Sequence, residues 1–206
     1  MIHRRNLTLA LAASALIPTM ALAQSQPATD TAPAIIEMAL GNADAKVTVM
    51  EYASFTCPHC ADFHENQFQD LKKEYIDTGK IHFVYRDVYF DRVGLWAAML
   101  ARCEPDRFFG VSAMLYSKQK EWLSSNDPVQ IADNLRKLGK VAGLEEDRIN
   151  ACMEDGETAK ALVEWFQVNV KADEISSTPT LIINGENHSN MSFDKLKEIL
   201  DAKLAE

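Results

Sequence analysis

Apolar and polar positions follow two different periods along this chain, and the changes of period mark its elements. From Lys46 to Tyr52, KVTVMEY is β-branched and apolar and predicts a buried strand that runs directly into SFTCPHCADF. From Cys57 the period lengthens: Cys60, His64, Phe68, Leu71 and Tyr75 recur at three or four residues and would line one face of a helix. Pro58 falls at the first helical position, where its missing N–H would lack an intrahelical partner anyway, so Cys57 is the expected cap. Gly79 breaks the pattern, and IHFVYRDV, Ile81 to Val88, predicts a second strand. Strand, helix, strand makes a βαβ unit.

From about Asp91 to Asp173 the period is helical in GLWAAMLARC, DRFFGVSAMLYSKQ, DPVQIADNLRKLG, EEDRINACME and ETAKALVEWFQVNV, which Gly, Pro, Asn and Asp signals separate. TPTLIING, Thr178 to Gly185, then predicts a strand ending in an Asn-Gly hairpin turn. In SFDKLKEILDAKLAE, Ser192 is the expected N-cap and Leu196, Leu200 and Leu204 share one face. The chain therefore closes β, β, α. The tryptophans Trp96, Trp122 and Trp165 read as core, and His64 and Phe68 as helix packing.

Residues 1–23 read as a secretory signal peptide. Arg4 and Arg5 form a positive start, Leu7 to Ile17 is an apolar run too short to span a bilayer, and Ala21-Leu22-Ala23 supplies a small-x-small cleavage site. The Arg4-Arg5 pair leaves the general and twin-arginine export routes both open. A polar, Pro-containing linker, 24–33, follows. An exported, soluble, periplasmic protein is expected, and export permits stable disulfides. Loss of Arg4 and Arg5 takes the formal charge from −9 to −11. Such an acidic balance disfavours nucleic acid and anionic membranes as partners. About 180 residues after the leader suffice for one sizeable domain or one domain carrying an insertion.

The pair Cys57-Pro58-His59-Cys60 admits three uses: a reactive dithiol, half of a metal site, or a small structural disulfide. So tight a loop gains little closure entropy from a structural bridge, and no second C-x-x-C completes a closed zinc site. A cysteine capping a helix meets unpaired N–H groups and the positive end of the helix dipole, which favour thiolate over thiol. His59 can add a charge or a donor. Cys60, one turn further in, should keep an ordinary, partly shielded thiol. That asymmetry suits thiol–disulfide exchange.

VTVMEYASFTCPHC and, beyond the helical block, SSTPTLIING together resemble the bacterial DsbA family of periplasmic thiol:disulfide oxidases, over nearly the whole chain after the leader. The resemblance implies an α/β thioredoxin fold with an inserted all-helical domain: a first part at 34–90, the insert at 91–174 and a second part at 175–206. It also implies a redox-active Cys57 to Cys60 disulfide with no other cofactor and no metal. Cys57 matches the family's exposed nucleophile, Cys60 its buried partner, and Pro58 and His59 the tuning dipeptide. Glu51 matches a buried acid that moves protons to and from the inner cysteine, and Pro179 a cis-proline facing the disulfide. Its preceding backbone can pair with an extended substrate. Thr178 departs from the aliphatic residue of the best-known members and keeps an isomerase or reductase reading alive. The implied partners are unfolded or extended cysteine-containing proteins and a membrane reoxidant of the DsbB type, with the enzyme itself a monomer.

Cys103 and Cys152 fall in the helical block. Leu95, Met99 and Cys103 share a face at i, i+4, i+8, as do Ile149 and Cys152 at i, i+3, so both sulfurs are expected inside helices and turned inward. They resemble a branch of the family with an additional, structural disulfide there. A cysteine-ligated metal-binding protein is the remaining alternative.

Overall fold

The computed structural model describes residues 33–206, so the expected signal peptide and all of the linker but Pro33 lie outside the described residues. The strands are β1 (Met38–Gly41), β2 (Val47–Ala53), β3 (Ile81–Asp87), β4 (Thr180–Ile183) and β5 (Glu186–Ser189). They form one sheet in the order β1-β3-β2-β4-β5. Only β2 and β3 run parallel; the other neighbours are antiparallel. β2 lies between β3 and β4, and Val47, Val49 and Tyr52 are wholly buried there, as expected of a central strand covered on both faces. β1 was not apparent from the pattern, since it is a short edge strand with only Met38 buried. Gly41 ends it at φ +85°, where a Cβ would stand 2.3 Å from the Ile81 carbonyl oxygen.

The expected helix after Cys57 is interrupted. α1 (Pro58–Glu65) stops at Asn66, whose backbone and side-chain N–H groups both bond back to the Asp62 carbonyl, and α2 (Gln67–Leu71) then runs into a π turn, Lys72–Ile76. An asparagine competes for backbone partners in this way. The apolar face survives the break: Cys60, His64, Phe68, Leu71 and Tyr75 are all buried.

Between β3 and β4 lie α3 (Arg92–Ala101), a 3-10 turn, α4 (Phe108–Ser117), α5 (Gln119–Trp122), α6 (Pro128–Val141), α7 (Glu146–Glu154) and α8 (Gly156–Ala172). Asp91, Asp127 and Asp155 cap three of them through their side chains. One apolar core runs from the sheet into these helices through Leu100, Leu115 and Leu135. Gly139 lets α6 approach α3 and α7, because a Cβ there would sit 2.9 Å from both Leu100 and Ile149. At the carboxyl end of β3, buried Asp87 pairs with Arg102 at 2.7 Å. The closing hairpin turns on Asn184 and Gly185, both at positive φ, and Ser192 caps α9 (Phe193–Ala205) as expected. The arrangement is a thioredoxin fold with a helical insert, as the resemblance implied.

Two expectations are corrected. Trp122 is core, but Trp96 and Trp165 are only half-buried, and the Trp165 ring lies under the guanidinium groups of Arg86 and Arg102. Cys103 lies in the turn beyond α3, not inside the helix, since Arg102 ends the helix and Pro105 follows at once. Its sulfur is buried, whereas Cys152, within α7, is half-buried. The two are joined, with Cα atoms 5.6 Å apart. In the chain-entropy model a loop of that separation, 49 residues, stabilises the fold by about 4 kcal/mol. Replacing both cysteines by alanine should therefore lower the urea midpoint by the equivalent of about 2–4 kcal/mol. An unchanged midpoint would show that the bridge is not a staple.

Candidate active site

The carboxyl ends of β2 and β3 lie side by side, and the chain leaving β2 turns through Ser54, Phe55 and Thr56 to Cys57. Cys57 has extended dihedrals, φ −82° and ψ 121°, and Pro58 opens α1 behind it. The insert holds this turn from outside. Gln119 donates from Nε2 to the carbonyls of Phe55 (2.8 Å) and Cys57 (2.9 Å), the latter also accepting from the Ala61 N–H, so one buried amide ties both ends of the turn. From the other side of the sheet, the Thr178-Pro179 peptide is cis, and the Thr178 carbonyl oxygen stands 3.6 Å from Cys57 Sγ. The antiparallel pairing of β4 with β2, Thr180 opposite Tyr52, thus brings residue 178 against residue 57.

The two sulfurs are free thiols in unequal surroundings. Cys57 retains 8% of its surface and Cys60 none, so the outer cysteine is more enclosed than the matched family position implied. The Cys57 thiol is lowered to about 5, chiefly because the Cys60 thiol donates a hydrogen bond to its thiolate. Burial opposes this, while the Thr178 hydroxyl and the backbone N–H groups of Cys60 and His59 add to it. Burial pushes the Cys60 thiol far up, assisted by the bond it gives to Cys57 and by the charge of Glu51. The Ser54 N–H, 3.5 Å from Cys60 Sγ, is the one group working against that rise through a hydrogen bond. One proton is thereby held on the inner sulfur and withheld from the outer one. His59 acts through its backbone; its side chain, like that of Pro58, is exposed.

Glu51 is wholly buried in β2, opposite Tyr85 of β3 and Leu181 of β4. An unpaired carboxylate there would be costly. Its partner is His64, whose Nε2 stands 2.9 and 3.1 Å from the two carboxylate oxygens. His64 was read as packing, and it does pack: its ring stacks on Tyr116 at 4.2 Å and meets the Phe68 ring, tilted by 30°, at 4.5 Å. The signal for its polar role was present in its position one turn beyond Cys60 on the same helical face. Gln119 and Tyr116 carried no such signal, because only the folding of the insert brings them to the turn. Cys103 and Cys152 join elsewhere, with Arg148 donating to the Cys103 carbonyl at 3.0 Å. Among the described residues, no group of three or more His, Cys, Asp or Glu side chains converges to hold a metal ion.

Comparison with known proteins adds a lineage. The family model described as Thioredoxin matches residues 34–202. A protein of Rickettsia prowazekii, provisionally named a protein-disulfide oxidoreductase, is 34% identical over 170 residues, which cover 82% of this chain and 61% of that relative. Disulfide bond formation protein D of Bacillus subtilis is 31% identical over 176 residues, covering 80% of this chain and 76% of its own. The chain thus spans under two thirds of the Rickettsia relative. Among solved structures, alpha-DsbA1 of Wolbachia pipientis superposes with a TM-score of 0.77 at 26% identity, covering 84% of this chain and 93% of that one.

The split between the sulfurs is directly measurable. In the reduced protein, rapid alkylation should fall on Cys57 alone and titrate with a midpoint near 5; equal labelling of Cys60, or a Cys57 midpoint near 9, would remove the asymmetry. The same shift bears on stability. Cys57 is lowered on folding from the ordinary 9.0 to about 5, so its thiolate stabilises the folded reduced protein fully above pH 9. That gain shrinks as pH falls and is gone once pH has passed through 5. The melting-temperature difference between reduced wild type and Cys57→Ser should accordingly grow from pH 5 to pH 9.

Proposed function

Because the chain belongs to the thioredoxin family, in its DsbA-like branch, we propose that it is an exported thiol:disulfide oxidoreductase that passes the Cys57 to Cys60 disulfide to cysteine pairs in other proteins. The observation that carries this reading is the opposite displacement of two adjacent thiols, one lowered to about 5 and its neighbour pushed far up by burial. A metal site would call for two thiolates, whereas an exchange site calls for one good leaving group and one proton-holding partner.

The steps follow from the geometry. A substrate thiolate attacks Cys57 Sγ of the oxidised enzyme, the Cys57 to Cys60 bond breaks, and Cys60 leaves as a thiolate that takes up a proton. A second substrate thiol, as thiolate, attacks the substrate sulfur of the mixed disulfide, and Cys57 departs as the stabilised thiolate. Two electrons have passed from the substrate dithiol to the enzyme. Release is favoured because the leaving thiolate is already held by Cys60, Thr178 and the start of α1. The Thr178 carbonyl beside Cys57 supports pairing of that backbone with an extended substrate chain, in the manner of strand addition. We assign reoxidation to a membrane oxidant of the DsbB type and residence to the periplasm, as the basic and apolar leader sequence supports. Cys103 and Cys152 take the part of a structural bridge and stay outside the exchange.

An oxidase reading is favoured over a reductase one because thiolate stabilisation at Cys57 lowers the free energy of the reduced enzyme, which makes the disulfide a stronger oxidant. Equilibration with glutathione should give a potential less negative than about −270 mV, the value of a reducing thioredoxin; a value at or below that would favour a reductase. Oxidation of a two-cysteine peptide should be abolished in Cys57→Ser and persist in the Cys103→Ala, Cys152→Ala double variant. Loss of turnover in the folded double variant would instead place the second bridge in the electron path.

A further inference from the structure

His64 has a second face that the exchange steps leave unused. Nε2 is taken by Glu51, but Nδ1 makes no hydrogen bond to the protein and is not among the sealed, unpartnered polar atoms of the described residues. The residue also lines a surface cavity of about 290 Å³ between α1, α2 and α4, with Glu65, Gln69, Met114, Tyr116 and Ser117. Glu51, by contrast, has no exposed surface, and neither has Cys60. The imidazole therefore stands between the buried carboxylate and the cavity, packed against Tyr116 and Phe68.

Resting on the reading of Cys57 and Cys60 as an exchanging pair, we propose that His64 is the proton port of the site, passing to the α1–α4 cavity the proton that Cys60 gives up through Glu51. In the direction of reoxidation, Cys57 carries a mixed disulfide and Cys60 attacks Cys57 Sγ. The Cys60 to Cys57 bond forms, the bond to the external sulfur breaks, and the external group leaves as a thiolate. The Cys60 proton enters on a Glu51 oxygen while the proton on Nδ1 of the Glu51–His64 pair leaves to cavity water. Nε2 keeps its proton throughout, so the pair gains one proton on Glu51 and gives up one from Nδ1. Reduction of the enzyme reverses each transfer. The groups facing the ring are Glu51 from β2, Tyr85 from β3, Tyr116 from α4 and, at the cavity wall, Glu65 from α1. Tyr85 and Tyr116 share a 2.6 Å hydrogen bond and are held protonated by burial. That leaves the imidazole, with two ring nitrogens that can each carry a proton, as the group between Glu51 and the cavity.

The test uses reduced full-length protein and excess oxidised glutathione, quenched in acid and analysed by mass. Cys57 first acquires glutathione; Cys60 then expels it. His64→Gln keeps an N–H for Glu51 but cannot carry a proton. It should form the mixed disulfide within about twofold of the wild-type rate and resolve it about a hundredfold more slowly, at the low end of what proton transfer contributes. In His64→Ala, added imidazole should restore resolution through the vacated space. Resolution at the wild-type rate in folded His64→Gln, equal slowing of both steps, or no response of His64→Ala to imidazole would each overturn the port. If wild-type protein never forms the Cys57 to Cys60 disulfide, the exchange reading fails instead.

Discussion

Two thiols three residues apart would ordinarily titrate alike, and everything notable about this site comes from preventing that. The Cys60 thiol donates to the Cys57 thiolate, and this hydrogen bond exists only while Cys60 is too buried to ionise. The rest of the molecule maintains the condition. β2 delivers the turn from the middle of the sheet, α1 begins at Cys57 and carries Cys60 inward, and the cis peptide before Pro179 closes the outer side. A change that let water reach Cys60 would relax both thiols toward their common value, because desolvation is the largest cause of the upward shift.

The helical segment between β3 and β4 contributes more than area. Gln119 ties the Cys57 turn through two carbonyls, Tyr116 covers His64, and Asp91 starts α3 so that Gly94 packs near Thr56. The insert thus encloses one flank of the dithiol, and the Asp87–Arg102 pair locks it to the end of β3. Breaking one partner of so buried a pair would strand a charge, which makes the attachment specific to this docking.

Burying Glu51 beside Cys60 creates a second requirement. The carboxylate needs a partner to remain in the core and a path for protons if the neighbouring thiol is to change state. His64 meets the first need by geometry, its ring packed against Tyr116 and Phe68.

Much was legible in the sequence because it depends on local rules. Pro58 after Cys57 marks a helix start, the spacing of Cys60, His64, Phe68, Leu71 and Tyr75 defines the buried face, and Asn184-Gly185 defines the hairpin, each from backbone sterics or periodicity alone. The edge strand at Met38 and the break at Asn66 escaped, since a four-residue strand has too few periods to read and an asparagine's choice of partner depends on its surroundings. The partner of Glu51, the amide holding the Cys57 turn and the exposure of Trp165 could come only from tertiary structure. They join residues 13 and 62 positions apart, or turn on which helix covers which face, and no local period encodes such distances. By itself the sequence determined where two cysteines would meet the start of a helix. Which of them would hold the proton was decided by burial, a property of the whole fold.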